Sequence, residues 1–411
     1  MGEGAMSPTP LEQRLRDGLE AARAAQLYRV RRVVEGAHGA RLRVDGRDCV
    51  NFCSNDYLGL AADPRLAEAA QRALSRSGTG SGAAALISGY NREHQALEEE
   101  LAAWLGRPRA LLFSTGWAAN LGVLRGLLGR QDRLVADELN HASLIDGGRL
   151  SGAQYRRVAH ADVDAFAAAL KEDARPDGLT LLCADGIFSM DGDLAPLPAL
   201  AALAQRHRAA LMVDDAHGLG VLGAAGRGSL DHFATATGGA FAPDRVDIHV
   251  ATLGKSLGAA GAFVAGGEDL IEYLIQRARS WVFSTAPPPA VAAAARASLR
   301  IVAGPEGDGR RRALFAAIAR FRAGCARAGI ALDASETPIQ PLRLGDETRA
   351  LQLSRFLLER GHWVAAIRPP TVPRGTARLR ITFSAAHTAA QVDALVETLA
   401  EGLRELDTAP P

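Results

Sequence analysis

Ala210-Leu211-Met212-Val213-Asp214-Asp215-Ala216-His217-Gly218 runs four apolar residues straight into two acids and a histidine. The apolar part does not alternate with polar residues, so a strand formed here must be covered on both faces. Runs of the same form occur at residues 110–113, 133–136, 179–184, 246–252 and 262–265, separated by alanine-rich stretches with helical spacing. Short buried strands between amphipathic helices predict an α/β fold with a mostly parallel sheet. In such sheets ligands collect beyond the carboxyl ends of strands, where these acids and this histidine fall.

Outward from that core, residues 11–27 have helical spacing, and residues 40–52 read as a β-like passage turning at Asp45-Gly46. Pro287-Pro288-Pro289 breaks the alternation, and a long Ala/Arg-rich helix is expected after it. From residue 338 the pattern is strand, helix, strand, helix, at 339–344, 349–361, 379–383 and 388–406. The expected division is an N-terminal helix and β segment (1–55), a large domain (56–290) and a smaller C-terminal α+β domain (291–411).

With 411 residues, 48% hydrophobic and 23% charged, the chain has an ordinary globular composition. A formal charge of +1 gives no reason to expect nucleic acid or an anionic membrane as partner. Cys49, Cys53, Cys183 and Cys325 are scattered without CxxC pairing, so reduced thiols, no metal and a cytoplasmic location are expected. No run approaches the ~18–20 apolar residues of a membrane span. The first ten residues lack the pattern of a signal peptide and read as a lead-in, with Met6 as an alternative start.

Only two of the 47 basic residues are lysines, Lys171 and Lys255. Arginine keeps its proton, whereas a lysine amine can lose it and attack a carbonyl. Lys171 stands in a charged stretch before a turn and reads as a surface residue. Lys255 stands in Thr252-Leu253-Gly254-Lys255-Ser256, at the end of an apolar run. A nucleotide-binding loop would need G-x-x-x-x-G-K-[ST], but His249 occupies the first glycine position and the acidic strand precedes the lysine.

Two more apolar runs end in small polar residues: Asp185-Gly186-Ile187-Phe188-Ser189-Met190-Asp191-Gly192-Asp193 and Phe113-Ser114-Thr115-Gly116-Trp117-Ala118-Ala119-Asn120. The second opens a helix whose free N–H groups suit a phosphate, although an ordinary N-cap looks the same. His141 also follows a short strand. One cofactor uses all of these. Pyridoxal 5′-phosphate needs an amine for its aldehyde, a carboxylate for its ring nitrogen, a phosphate cup and a flat group against its ring. Lys255, Asp214, Gly116 with Trp117, and His141 are the candidates.

The chain resembles the α-oxoamine synthases, a family of fold type I (aspartate-aminotransferase-like) pyridoxal-phosphate transferases. The resemblance is carried by Asn51-Phe52-Cys53-Ser54-Asn55-Asp56-Tyr57-Leu58-Gly59-Leu60, Gly78-Thr79-Gly80-Ser81-Gly82, Ser88-Gly89-Tyr90, Phe188 to Asp193, Asp214 to Gly218 and Thr252 to Lys255. It implies that Lys255 joins the cofactor aldehyde, Asp214 bonds the ring nitrogen and His217 the phenolic oxygen, with Ser189 and Thr252 in contact. Gly116 and Trp117 would hold the phosphate; Trp117 replaces the Phe or Tyr more usual there. His141 would stack on the ring, and Arg29, Arg368 and Thr371 match substrate-contacting positions. Ser284-Thr285 would reach a phosphate across a homodimer interface.

Ile367-Arg368-Pro369-Pro370-Thr371-Val372-Pro373 is most similar to the branch that joins L-alanine to a pimeloyl thioester, pimeloyl-ACP or pimeloyl-CoA, with loss of carbon dioxide. Sister reactions giving 2-amino-3-oxobutyrate or 5-aminolevulinate share every cofactor residue and stay open as alternatives. A catalytically silent partner subunit would lack the lysine.

Overall fold

The computed structural model describes residues 8–171 and 178–408; of the lead-in expected at residues 1–10, residues 1–7, including Met6, lie outside them. A helix at Pro10–Ala24 opens the described chain, closed at its start by a capping box between Thr9 and Glu12. Three short strands follow, β1 (Val34–Glu35), β2 (Arg41–Val44) and β3 (Arg47–Asn51). The β2–β3 hairpin turns at Asp45 and Gly46, both at positive φ, which matches the right-handed twist of paired strands.

Seven strands then form the main sheet: β4 (Arg109–Phe113), β5 (Arg133–Asp137), β6 (Gln154–Val158), β7 (Thr180–Asp185), β8 (Ala210–Asp214), β9 (Ile248–Thr252) and β10 (Ala262–Gly266). Their order is β4-β10-β9-β8-β7-β5-β6, with β10 antiparallel to both neighbours and the other pairings parallel. Six of the seven coincide with the apolar runs. β6 escaped that reading because it is an edge strand with mostly exposed side chains, Gln154-Tyr155-Arg156-Arg157-Val158.

Alternation along the strands divides the core. Met212 of β8 packs with Ala119, Val123 and Leu144 from the helices Gly116–Leu127 and Ala142–Ser151. Leu211 and Val213 pack on the other face with Phe166, Leu200 and Leu230, from Val163–Lys171, Leu197–Arg206 and Ser229–Ala236. Asp214 therefore continues the first face and Asp215 the second. Lys171 ends its helix exposed to solvent.

The stretch after the proline run forms two helices, Pro289–Val302 and Pro305–Arg327, where one was expected. Gly304 stands between them in an extended conformation, followed by Pro305, and a residue before proline is steered out of the helical region. Next come β11 (Ile339–Gly345), β12 (His362–Trp363), β13 (Ala365–Ile367) and β14 (Ala377–Thr382). β11, β14 and β13 make an antiparallel three-stranded sheet, while β12 crosses over to pair in parallel with β3. Among the described residues no helix is long and apolar enough to cross a membrane.

Candidate active site

A cavity of about 200 Å³ opens at the carboxyl ends of the parallel strands. Gly116, Trp117, His141, Ser189, Asp214, His217, Thr252 and Lys255 all line it, so the structure gathers every expected cofactor contact in one place. Asn120, Ser143, Asp185, Ile187 and Ala216 complete the wall.

Lys255 leaves the end of β9 in a loop tied by two bonds to one hydroxyl. Thr252 Oγ1 donates to the Gly261 carbonyl (3.0 Å) and accepts from the Gly254 amide (3.2 Å). The lysine Nζ lies 2.9 Å from Nε2 of His217, and His217 Nδ1 lies 2.7 Å from the Tyr57 hydroxyl. That hydroxyl donates to Asn55 Oδ1 (3.1 Å), so its oxygen accepts from Nδ1–H and Nε2 is left as the acceptor facing the amine. Burial lowers the Lys255 pKa to about 8, with Arg380 adding to the effect and Asp214 opposing it. Burial, then the Lys255 charge, holds His217 well below its usual value.

Asp214 Oδ2 accepts from Asn120 Nδ2 (2.7 Å) and Oδ1 from the Ala216 amide (3.0 Å). Asn120 lies one turn beyond Gly116 on the same helix and also reaches Ser143 Oγ (2.8 Å). Asp215 faces away; its carboxylate takes the Ser229 amide (2.8 Å) and His249 Nε2 (3.4 Å). His249, where a nucleotide loop needs glycine, is thus a buried strand residue.

Asp185 accepts the His141 amide (3.0 Å), and its carboxyl is pushed well up by burial and then by Asp214. His141 caps its helix: the Ser143 amide donates to Nδ1 (3.3 Å), which places the ring proton of the neutral imidazole on Nε2. Burial lowers the His141 pKa, against the pull of Asp214.

Thr115 caps the helix that starts at Gly116, accepting the Ala118 amide (3.0 Å). Among the described residues no protein acceptor meets the amides of Gly116 and Trp117, and they are free for an anion. An amine, a buried carboxylate, a neutral imidazole and a helix N-terminus with unpaired amides together fit the aldehyde, ring nitrogen, ring face and phosphate of pyridoxal phosphate.

Arg29, Arg368 and Thr371 are not among the residues lining this cavity. Arg368 donates to the Tyr28 carbonyl (3.0 Å) and lies close enough to Arg29 for its charge to be felt. Ser284 and Thr285 line a neighbouring pocket with Ser114 and Glu98. The residues missed from sequence are Asn120, Asp185, Tyr57, Asn55 and Arg380. Asn120 had a signal, its i+4 spacing from Gly116. Arg380 had another, a second arginine in a strand that is buried throughout; it donates to Asn55 Oδ1 (3.2 Å) and the Ser189 carbonyl (2.5 Å).

The aminotransferase class I and II family profile matches residues 47–399. The 8-amino-7-oxononanoate synthase of Methylococcus capsulatus is 57% identical over 385 residues, 94% of this chain and 97% of that protein. Among solved structures, an SPT with a PLP internal aldimine superposes with a TM-score of 0.90 at 27% identity, covering 98% of this chain and 100% of that one. An 8-amino-7-oxononanoate synthase from Francisella tularensis superposes with a TM-score of 0.74 at 30% identity, covering 87% and 99%. The chain belongs to the aminotransferase class I and II family, with its fold type I architecture, and groups within it with the 8-amino-7-oxononanoate synthases.

Proposed function

We propose that this protein uses pyridoxal 5′-phosphate to join L-alanine to a pimeloyl thioester, releasing carbon dioxide, the thiol carrier and 8-amino-7-oxononanoate, a step of biotin biosynthesis. The observation that carries this reading is the single cavity holding a buried amine of lowered pKa, the Asp214 carboxylate and a free helix N-terminus. The match to 8-amino-7-oxononanoate synthases over nearly the whole chain supports the substrates.

When bound, the cofactor supplies an aldehyde carbon for an amine and a ring that accepts the electrons of a bond broken at the amino acid's α-carbon. Lys255 would hold that carbon through its Nζ until alanine's amine took its place. The freed Nζ, kept in place by His217 Nε2 and with its pKa lowered by burial, takes the α-proton as general base. Asp214, oriented by Asn120 and the Ala216 amide, keeps a proton on the ring nitrogen. His141 presents Nε2–H to the oxygen of the forming ketone or to the departing carboxylate. The Gly116 and Trp117 amides, with the helix dipole behind them, bind the phosphate.

Alanine's carboxylate is assigned to Arg380, which is buried and near enough to Lys255 and His217 to shift both. Arg29, Arg368 and Thr371 then serve the longer acyl donor at the entrance. A homodimer accounts for Ile87 (81% exposed) and Phe283 (71% exposed), which flank the segments of the Ser114, Ser284 and Thr285 pocket. The proposed division is an N-terminal helix and short β segment (1–55), a large cofactor-binding domain (56–290) and a small C-terminal domain (291–411).

The test is product analysis with alanine, glycine or serine and with pimeloyl groups on coenzyme A and on acyl carrier protein. The expected result is 8-amino-7-oxononanoate from alanine alone, and Lys255→Arg should fold yet lose the cofactor's absorbance. Preference for glycine would assign the protein to a sister reaction.

A further inference from the structure

We propose that His160 is a positioning residue for this reaction, an imidazolium bridging Asp137 and Asp193 that sets the separation between the loops carrying His141 and Ser189. The inference rests on the function proposed above. His160 follows the edge strand β6, outside the lining of the cavity. Its Nδ1 lies 3.1 Å from Asp137 Oδ1, and its Nε2 lies 2.8 Å from Asp193 Oδ2.

A neutral imidazole has one N–H and can satisfy one carboxylate; a ring between two carboxylates donates from both nitrogens only when protonated. Burial works against that charge, but Asp137 and Asp193 outweigh it and raise the pKa to about 10. The ring also stands edge-on to Phe188, centroids 4.3 Å apart at 89°, which fixes its plane.

Each carboxylate organises one loop. Asp137, at the end of β5, accepts the Leu139 amide (2.8 Å) and the Ala161 amide (2.7 Å), shaping the turn that leads to His141. Asp193 closes the other loop, its carbonyl accepting from the Phe188 amide (3.0 Å) so that Ser189 is held inside the turn. Arg378 and Arg343 anchor the outer side of that loop through Asp191. Asn140 and the His141 amide tie the first loop to the root of the second at Cys183 and Asp185; His160 adds the link to its far end, as the one donor among the described residues to the Asp193 carboxylate, whose Oδ1 is buried without a partner. Loss of the bridge leaves a poorly satisfied carboxylate beside the cavity and leaves the far end of the Ser189 loop without its tie to the His141 loop.

The experiment compares wild type, His160→Gln, Asp193→Asn and the double variant as holoenzyme and as apoenzyme. Wild-type turnover of alanine and the pimeloyl thioester is assayed first, so that failure of the functional reading shows there and separately. Amide exchange then reads the bridge without turnover. His160→Gln should speed exchange at residues 138–141 and 188–193 about tenfold and leave β8 and β9 unchanged. It should lower kcat about tenfold with KM for alanine within about twofold, and the double variant should be no worse than His160→Gln. Wild-type exchange in both loops, multiplied effects in the double variant, or a raised KM with unchanged kcat would overturn the proposal. If His160→Gln fails to fold, Asp193→Asn provides the same exchange and kcat readings.

Discussion

The amine of Lys255 and the Nε2 of His217 are 2.9 Å apart, and the bonds behind the imidazole leave that nitrogen as an acceptor. The nucleophile of the site is therefore held by a neutral ring rather than by an anion. An anion would bind the lysine's proton more tightly; the neutral ring and the dry surroundings make it easier to lose.

Cofactor capture by the apoenzyme should follow this titration. Only the neutral amine attacks an aldehyde, and burial has brought the Lys255 pKa down to about 8. The capture rate should fall about tenfold per pH unit below 8 and level off above it. Stopped-flow absorbance after mixing apoenzyme with cofactor measures it; a rate still climbing toward pH 10 would contradict the assignment.

Asp185→Asn should be nearly silent for stability. Burial, and then Asp214 beside it, push the carboxyl's pKa well up and favour its neutral form, so an amide of the same shape that still accepts from the His141 amide changes little. A loss under about 1 kcal/mol is expected from thermal unfolding at pH 7. A much larger loss would mean that Asp185 is ionised in the native protein.

Arg380, proposed for alanine's carboxylate, and Arg368, proposed for the acyl donor, should separate in kinetics. Arg380→Gln removes a buried guanidinium and should raise KM for alanine at least about thirtyfold, the cost of breaking a desolvated charge pair. Arg368→Gln, at a half-buried guanidinium that bonds the Tyr28 carbonyl, should change it less than about fivefold. Steady-state assays with alanine varied decide between them.

Gly228→Ala should destabilise the fold strongly. Gly228 has φ +98°, and a methyl group there would meet Asp215 Oδ2 at 1.9 Å, inside the bond that oxygen accepts from the Ser229 amide. A loss of about 3 kcal/mol or more is expected in urea unfolding. Wild-type stability would mean that Asp215 is free to turn aside.

Much of the architecture was legible because strands buried on both faces must be apolar throughout, as in Leu211-Met212-Val213 and Val264-Ala265. The same rule hid β6, whose edge position lets Arg156 and Arg157 face outward. β12 and β13 were missed because strands of two and three residues are too short to show a period. In the site, Lys255 and Asp214 could be found by chemistry alone, as residue types that few other jobs require at a strand end. The substrate arginine could not. Arg368 was chosen on resemblance, and nothing local in β14 marks Arg380 as the buried guanidinium that bonds the Ser189 carbonyl.

Local order along the chain determined the alternation of strands and helices and the reactive groups at the strand ends, because periodicity and residue chemistry act over a few neighbours. Only the folded chain decided which partners those groups meet. Tyr57 bonds His217 across 160 positions, and Arg380 reaches Asn55 across 325. The lowered pKa of Lys255 likewise belongs to burial, which is a property of everything packed around it.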